Sequence, residues 1–312
     1  KRIAAAKDNY DKVSKGEEPT YYPEYDEGGD RLPNFDRIEI LVLDKYGQPM
    51  PNIEFTKRRE EKVINMLEYG SHNMPKGSWS DDSSMVIATM QSIIDNKGNI
   101  NYKDIMNNFI LWIEKGKFTS NNKTFGVGGT TLKALRNYYY RKEFIMYKDP
   151  LMCGIDDIKD NGNGSLMRIL PIAYYCYYKK LKEEEIYKLV KDISSMTHRH
   201  SISILGCYIY VLFVIGILNG EEKEKIYKGI RKYNYNKYFD NETINNYGRL
   251  LDNDISLLDI DNINSSGYVL NTLEAVIWCF MNSNDYNESI IKAINLGDDV
   301  DTIGALVGGL SG

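Results

Sequence analysis

Histidine is scarce in this chain of 312 residues: only His72, His198 and His200 occur. The four cysteines, Cys153, Cys176, Cys207 and Cys279, stand far apart with no C-x-x-C pair. Both shortages argue against a His/Cys zinc site and against a disulfide framework. The thiols read instead as buried groups of a reducing, cytoplasmic setting. A basic block is also missing, and the formal net charge is −5, which argues against general nucleic-acid binding. No leader pattern is visible, although the sequence opens at Lys1 without a methionine. One long apolar run exists, Ile202 to Leu218, but it is short for a membrane span and lacks basic flanks. It reads as a buried core helix, so no membrane partner is expected.

β-branched runs separated by hairpin turns are absent too, and no unit repeats at a fixed period. What is present is helical periodicity. Met85, Ala88, Met90 and Ile94 share one face of a helix that Ser83 or Ser84 could cap. Ile105, Phe109, Trp112 and Ile113 do the same further on. Similar patterns cover 131–140, 166–178, 183–196, 202–218, 269–280 and 288–296. The expected fold is all-α, a compact orthogonal multi-helix domain of about ten helices. The first stretch is polar and turn-rich, so residues 1–50 read as an N-terminal arm and 51–312 as the domain.

Two acidic clusters, 217 positions apart, carry most of the chemistry. The first is Ser80-Asp81-Asp82 and the second Asp299-Val300-Asp301-Thr302. Each sets carboxylates beside a hydroxyl at the start of an apolar helix. Such oxygens suit Mg²⁺, Mn²⁺ or Ca²⁺ if the fold joins the clusters. They are also preferred N-cap residues, and composition leaves both readings open. Behind the second cluster, Gly304, Gly308 and Gly312 recur every four residues, which predicts close helix packing on that face of a central helix.

Between the clusters lies Asn161-Gly162-Asn163-Gly164-Ser165, followed by Met167, Arg168 and Pro171. Alternating glycines free backbone N–H groups to converge on an anion, and a helix beginning near Leu166 would add its positive end. A plain inter-helix loop is the other reading. Gly126-Val127-Gly128-Gly129-Thr130-Thr131 is a second loop of this kind. His198 could donate to a phosphate or ribose oxygen, or serve only as a helix-end residue. Tyr268, after Ser266-Gly267, could stack on a base or simply pack.

Taken in order, these segments resemble the ADP-ribosylglycohydrolase family, which includes the dinitrogenase reductase-activating glycohydrolases. GSWSDDSSM looks like the family's Gly-x-x-Thr-Asp-Asp-Thr-x-Met, and GVGGTT like its Gly-x-Gly-Asn-Thr-Thr. NGNGSLMRILP is similar to Gly-Asn-Gly-x-x-Met-Arg-x-x-Pro, and LGDDVDTIGA to Gly-x-Asp-Thr-Asp-Thr-x-Gly-Ala. The likeness runs from about Ile53 to Gly312.

The resemblance implies a binuclear Mg²⁺ (or Mn²⁺) centre held by Ser80, Asp81, Asp82, Asp299, Asp301 and Thr302. It implies that Gly128, Gly162, Asn163, Gly164 and Ser165 bind substrate, with the last four at the pyrophosphate. His198 would face the phosphate and ribose, and Gly267 and Tyr268 the adenosine. The implied reaction is hydrolysis of an N- or O-glycosidic bond to ADP-ribose, with Asp81, Asp82, Asp299 and Glu54 as the catalytic carboxylates. Expected partners are an ADP-ribosylated protein or small molecule and an ADP-ribosyltransferase. Ser80 and Val300 stand where the family has threonine, and DKYGQPMPNIEF (Asp44 to Phe55) departs from the family's N-terminal pattern. That departure motivates an alternative, a non-catalytic ADP-ribose binder or toxin-immunity protein. Clustered carboxylates also fit a helical metal-dependent nucleotide phosphohydrolase.

Overall fold

The computed structural model describes residues 63–66, 72–139 and 149–312. The expected arm (1–50) and Glu54 lie outside the described residues. Twelve α-helices and no named strands are found among the described residues, so the all-α expectation holds. They are α1 (Asp81–Asp95), α2 (Tyr102–Lys115), α3 (Gly129–Tyr139), α4 (Leu170–Tyr178), α5 (Glu183–Ser195) and α6 (Ser201–Leu218). Then come α7 (Lys223–Lys232), α8 (Asn241–Asn246), α9 (Gly248–Leu251), α10 (Val269–Met281), α11 (Tyr286–Ile294) and α12 (Val300–Ser311).

Helix α6 is the centre of the body. Its sequence is apolar on every side, and α4, α5, α7, α8, α10 and α12 pack around it. Among the described residues only this helix is long and apolar enough to cross a membrane, and 72% of it is buried inside the protein. Burying each large apolar side chain contributes roughly 1.5–3 kcal/mol. Its few polar groups are matched: Tyr210 donates to the Leu306 carbonyl (2.9 Å) and Ser203 to Asn161 Oδ1 (2.8 Å). All four cysteines are buried, as their spacing suggests.

The sequence signals set most helix ends. Asn101 caps α2 by accepting from Asp104 N–H (3.1 Å), and Gly116 ends it in left-handed backbone at φ 63°. In α5, Glu185 reaches back to accept from Lys182 N–H (2.8 Å). Three expectations need correction. Helix α1 begins at Asp81 with Ser80 as its N-terminal neighbour, so Ser83 and Ser84 lie inside it rather than before it. The expected helix over 166–178 is broken into a 3₁₀ turn, Leu166–Arg168, and α4. Pro171 explains the break: it has no N–H to give back to the preceding turn, so it is tolerated only at the start of a new helix. Helix α12 is buried on one face, with Ala305 exposed, rather than passing through the centre. Its closest approach is at Gly309, where an added Cβ would stand 2.7 Å from the Tyr210 hydroxyl.

Candidate functional site

Helices α1 and α12 pack against each other, and this contact joins the two acidic clusters at their N-terminal ends. Ser80 is extended (φ −81°, ψ −167°) yet makes no side-chain cap on α1. Its hydroxyl donates to Asp82 Oδ2 at 2.6 Å. Asp299 precedes α12 and likewise makes no side-chain cap. It accepts from Asn163 Nδ2 at 2.5 Å, and Thr302 Oγ1 stands 3.4 Å from its Oδ1. Ser80, Asp81, Asp82 and Thr302 are buried, Asp299 is half-buried and Asp301 is exposed.

The carboxylates perturb one another across the gap. Burial pushes Asp81 well above the ordinary carboxylate range, and the charges of Asp82 and Asp301 add to it. Burial raises Asp82 to about 6, with Asp301 contributing. It raises Asp299 to about 7, against the hydrogen bond from Asn163. Asp301 moves the other way: burial works upward, but contact with His72 holds it below the usual range. His72 Nε2 lies 3.6 Å from Asp301 Oδ2, and its ring meets Phe125. The Asp82 Oδ1 atom is buried with no hydrogen-bond partner. A buried orphan carboxylate oxygen among like charges and hydroxyls fits a hard divalent cation. Among the described residues, however, no three His, Cys, Asp or Glu side chains already converge as a ligand set.

The Gly-rich loops close over this centre. Gly126 has φ 75°, and a Cβ there would stand 2.5 Å from Asp81 Oδ1, so only glycine lets the loop pass. Gly128, the expected binding glycine, is less constrained: its nearest neighbour would be Thr131 Oγ1 at 3.9 Å. Loop 161–165 is stitched to the segment before α10. Asn163 N–H donates to the Gly267 carbonyl (3.0 Å), Val269 N–H to that of Asn161 (3.0 Å), and Gly162 bridges Tyr268 antiparallel. Asp299 N–H donates to the Ser265 carbonyl at 3.1 Å. One hub thus gathers Gly162, Asn163, Gly164, Gly267, Tyr268 and Asp299.

Some expected roles change with this geometry. The Asn163 side chain is committed to Asp299 and to Thr272 Oγ1 (2.9 Å), so it orients a carboxylate. Ser165 is fully buried; its hydroxyl meets Ser194 Oγ (3.0 Å) and Cys207 Sγ (3.4 Å), facing the core. The helix expected to point its positive end at the loop is only the three-residue turn Leu166–Arg168, too short for a sizeable dipole. His198 is buried beneath the loop, and a Cβ on Gly164 would stand 2.8 Å from its Cε1. Burial, then the charge of Arg168, lowers His198 to about 3, so the ring is neutral.

Sequence reasoning gave no individual site role to His72, Gly126, Thr131 or Arg168. Gly126 was visible inside its motif; His72 lies outside any periodic segment. Thr131 Oγ1 is buried without a partner beside Gly164. Two surface clefts of about 410 and 500 Å³, beside Tyr227 and Tyr102, share no residue with this centre.

Comparison with known proteins places the chain among relatives. A family model described as ADP-ribosylglycohydrolase matches residues 44–312. The ADP-ribosylarginine hydrolase Tri1 of Pseudomonas putida (strain GB-1) is 29% identical over 261 residues, covering 83% of this chain. The match spans 65% of that relative's length, so about a third of the relative lies outside it. The Tri1 of Serratia proteamaculans (strain 568) is 25% identical, covering 88% of this chain and 69% of the relative. The ADP-ribosyl-[dinitrogen reductase] glycohydrolase of Rhodospirillum rubrum is 25% identical, covering 78% and 74%. A solved structure titled ADP-ribosylglycohydrolase-related protein complex shares the fold, with a TM-score of 0.63 and 24% identity over 80% of this chain and 76% of its own.

Proposed function

This chain belongs to the ADP-ribosylglycohydrolase family, and from that premise we propose that it hydrolyses the glycosidic bond joining ADP-ribose to a modified protein side chain. The observation that carries the proposal is the meeting of two distant acidic clusters around the orphan Asp82 Oδ1. The names of the relatives support arginine-linked ADP-ribose as the first substrate to try.

Two Mg²⁺ or Mn²⁺ ions would be held by Ser80, Asp81, Asp82, Asp299, Asp301 and Thr302. Bound there, they would supply Lewis-acid polarisation and a lowered water pKa. The protein's own groups do the rest. Asn163 fixes the direction in which Asp299 presents its carboxylate. Asp81 and Asp82, buried in the first turn of α1, are placed to accept a proton from an attacking water. Gly126 lets the loop close on Asp81 and thin the water around it. The loop 162–164, over neutral His198, offers hydrogen-bond donors to a pyrophosphate. The edge formed by exposed Gly267 and half-buried Tyr268 suits the adenosine. Glu54, outside the described residues, is the proposed fourth carboxylate. An ADP-ribosyltransferase is the proposed source of the substrate, and the burial of all four thiols supports a reducing, cytoplasmic setting.

The test is to incubate the full chain with ADP-ribosylated arginine and Mg²⁺ and analyse products by mass spectrometry. Intact ADP-ribose, lost with EDTA or in Asp299→Asn, supports the hydrolase. Release of AMP would identify a phosphohydrolase instead. Unchanged substrate with measurable ADP-ribose binding would identify a silent binder.

A further inference from the structure

Arg168 is fully buried, and among the described residues no carboxylate pairs with it. Its guanidinium lies 5.0 Å from the Phe109 ring centroid, and its Nε and Nη1 have no hydrogen-bond partner. Nη2 makes two bonds, to the Ile193 carbonyl (3.0 Å) and to Thr197 Oγ1 (2.8 Å). A charge buried at such cost, with three of its five N–H groups idle, calls for a reason beyond packing.

The reason lies one contact further on. Thr197 Oγ1 is 2.9 Å from His198 Nδ1. A guanidinium can only donate, so Arg168 occupies a lone pair of the Thr197 oxygen and leaves its proton free. His198 Nδ1 is positioned to accept that proton. With a proton on Nδ1 instead, two donors would converge on Oγ1 and the threonine proton would lose this acceptor. We propose that Arg168 and Thr197 are positioning residues that hold His198 as the neutral Nε2–H tautomer, its donor turned toward the Gly162–Gly164 loop. Nε2 faces that loop closely: Cβ atoms on Gly162 and Gly164 would stand 3.8 and 3.3 Å from it. The lowered pKa of His198 agrees with a neutral ring. A neutral ring with a fixed donor offers a phosphate oxygen a hydrogen bond independent of pH near neutrality.

The ligand half of this inference rests on the proposed ADP-ribose reading; the tautomer does not. With three histidines in the chain, long-range ¹H–¹⁵N spectra of the full-length protein can be assigned by His→Gln variants. Expected are Nε2–H at His198 in the wild type, loss of that single tautomer in Thr197→Val, and its return in Thr197→Ser. ADP-ribose affinity by calorimetry is expected to fall about tenfold in Thr197→Val and to recover in Thr197→Ser. Should Thr197→Val fail to fold, Thr197→Ala carries the same expectation, and a wild-type Nδ1–H tautomer would still overturn the proposal. A wild-type Nδ1–H tautomer overturns the proposal, as does a Thr197→Val protein with an unchanged tautomer; unchanged affinity in that variant, where the wild type binds ADP-ribose, overturns its ligand half. Wild-type protein that shows the expected tautomer, lost in Thr197→Val, but binds no ADP-ribose overturns the substrate reading and supports the positioning role.

Discussion

Asn101 and Ser80 occupy equivalent places, each in extended backbone immediately before an α-helix. Asn101 spends its side-chain oxygen on the helix, accepting from Asp104 N–H. Asp240 and Asp285 do the same for α8 and α11, at 2.7 and 2.8 Å. Ser80 instead gives its hydroxyl to Asp82, and Asp299 turns to Asn163. The residue types are interchangeable as caps; the uses are not. Where capping chemistry is present but unspent, and an adjacent carboxylate oxygen is buried without a partner, local stability has been given up for something else.

The largest effect that could break this comparison is on turnover. Asp82→Asn should lower ADP-ribose release by about 10²-fold or more. Its melting temperature should hold or rise, because the substitution relieves like-charge crowding. A fall in stability with activity retained would make Asp82 an ordinary structural group. Acid unfolding comes next and sharpens the same contrast in α6, where His200 caps with its ring and His198 does not. His198 titrates at about 3 in the fold and near 6.5 when unfolded. Between those values the unfolded chain binds the extra proton, so stability rises with pH. His198 therefore contributes fully above about pH 6.5, and that contribution is lost as pH falls toward 3. Urea titrations at pH 7.5 and 5 should show the loss, and His198→Gln should reduce the difference.

Third in size are the two glycines of one loop. Gly126→Ala should cost about 1–3 kcal/mol through its positive φ and its collision with Asp81, and should depress activity. Gly128→Ala, with room for a Cβ, should be nearly silent in stability. Equal effects would mean that the loop does not close on Asp81. The smallest change is Asn101→Ala, expected to cost about 1 kcal/mol and to leave ADP-ribose release untouched. Denaturant midpoints and product assays on the same preparations would check both.

Much of the fold was legible because helical faces and caps are local. The periodic segments around Met85, Phe109 and Ile193 became helices almost where their spacing put them. Helix α7 was hidden because Ile226, Tyr227 and Ile230 sit among lysines in a short stretch. The split at Ile169 could have been read from Pro171. In the site, residue types in order were legible, and so was the pairing of the acidic clusters through family likeness. The direction of each side chain was not. Whether Ser80 caps or donates, and whether Asn163 meets a ligand or Asp299, depends on partners far away in sequence. Spacing carries no information about those rotamers. Ser165 looked like a loop donor for the same reason, and only the packing of α5 and α6 turns it inward.

The distribution of the acidic groups has a further consequence for dissection of the molecule. A cut anywhere between α1 and α12 leaves each fragment with half of the proposed oxygen ligands and neither with the full set. Turnover then becomes a reporter of reassembly: mixed fragments should be active only when their helices have docked in register. The catalytic signal would read out folding itself, with no fluorophore or tag required.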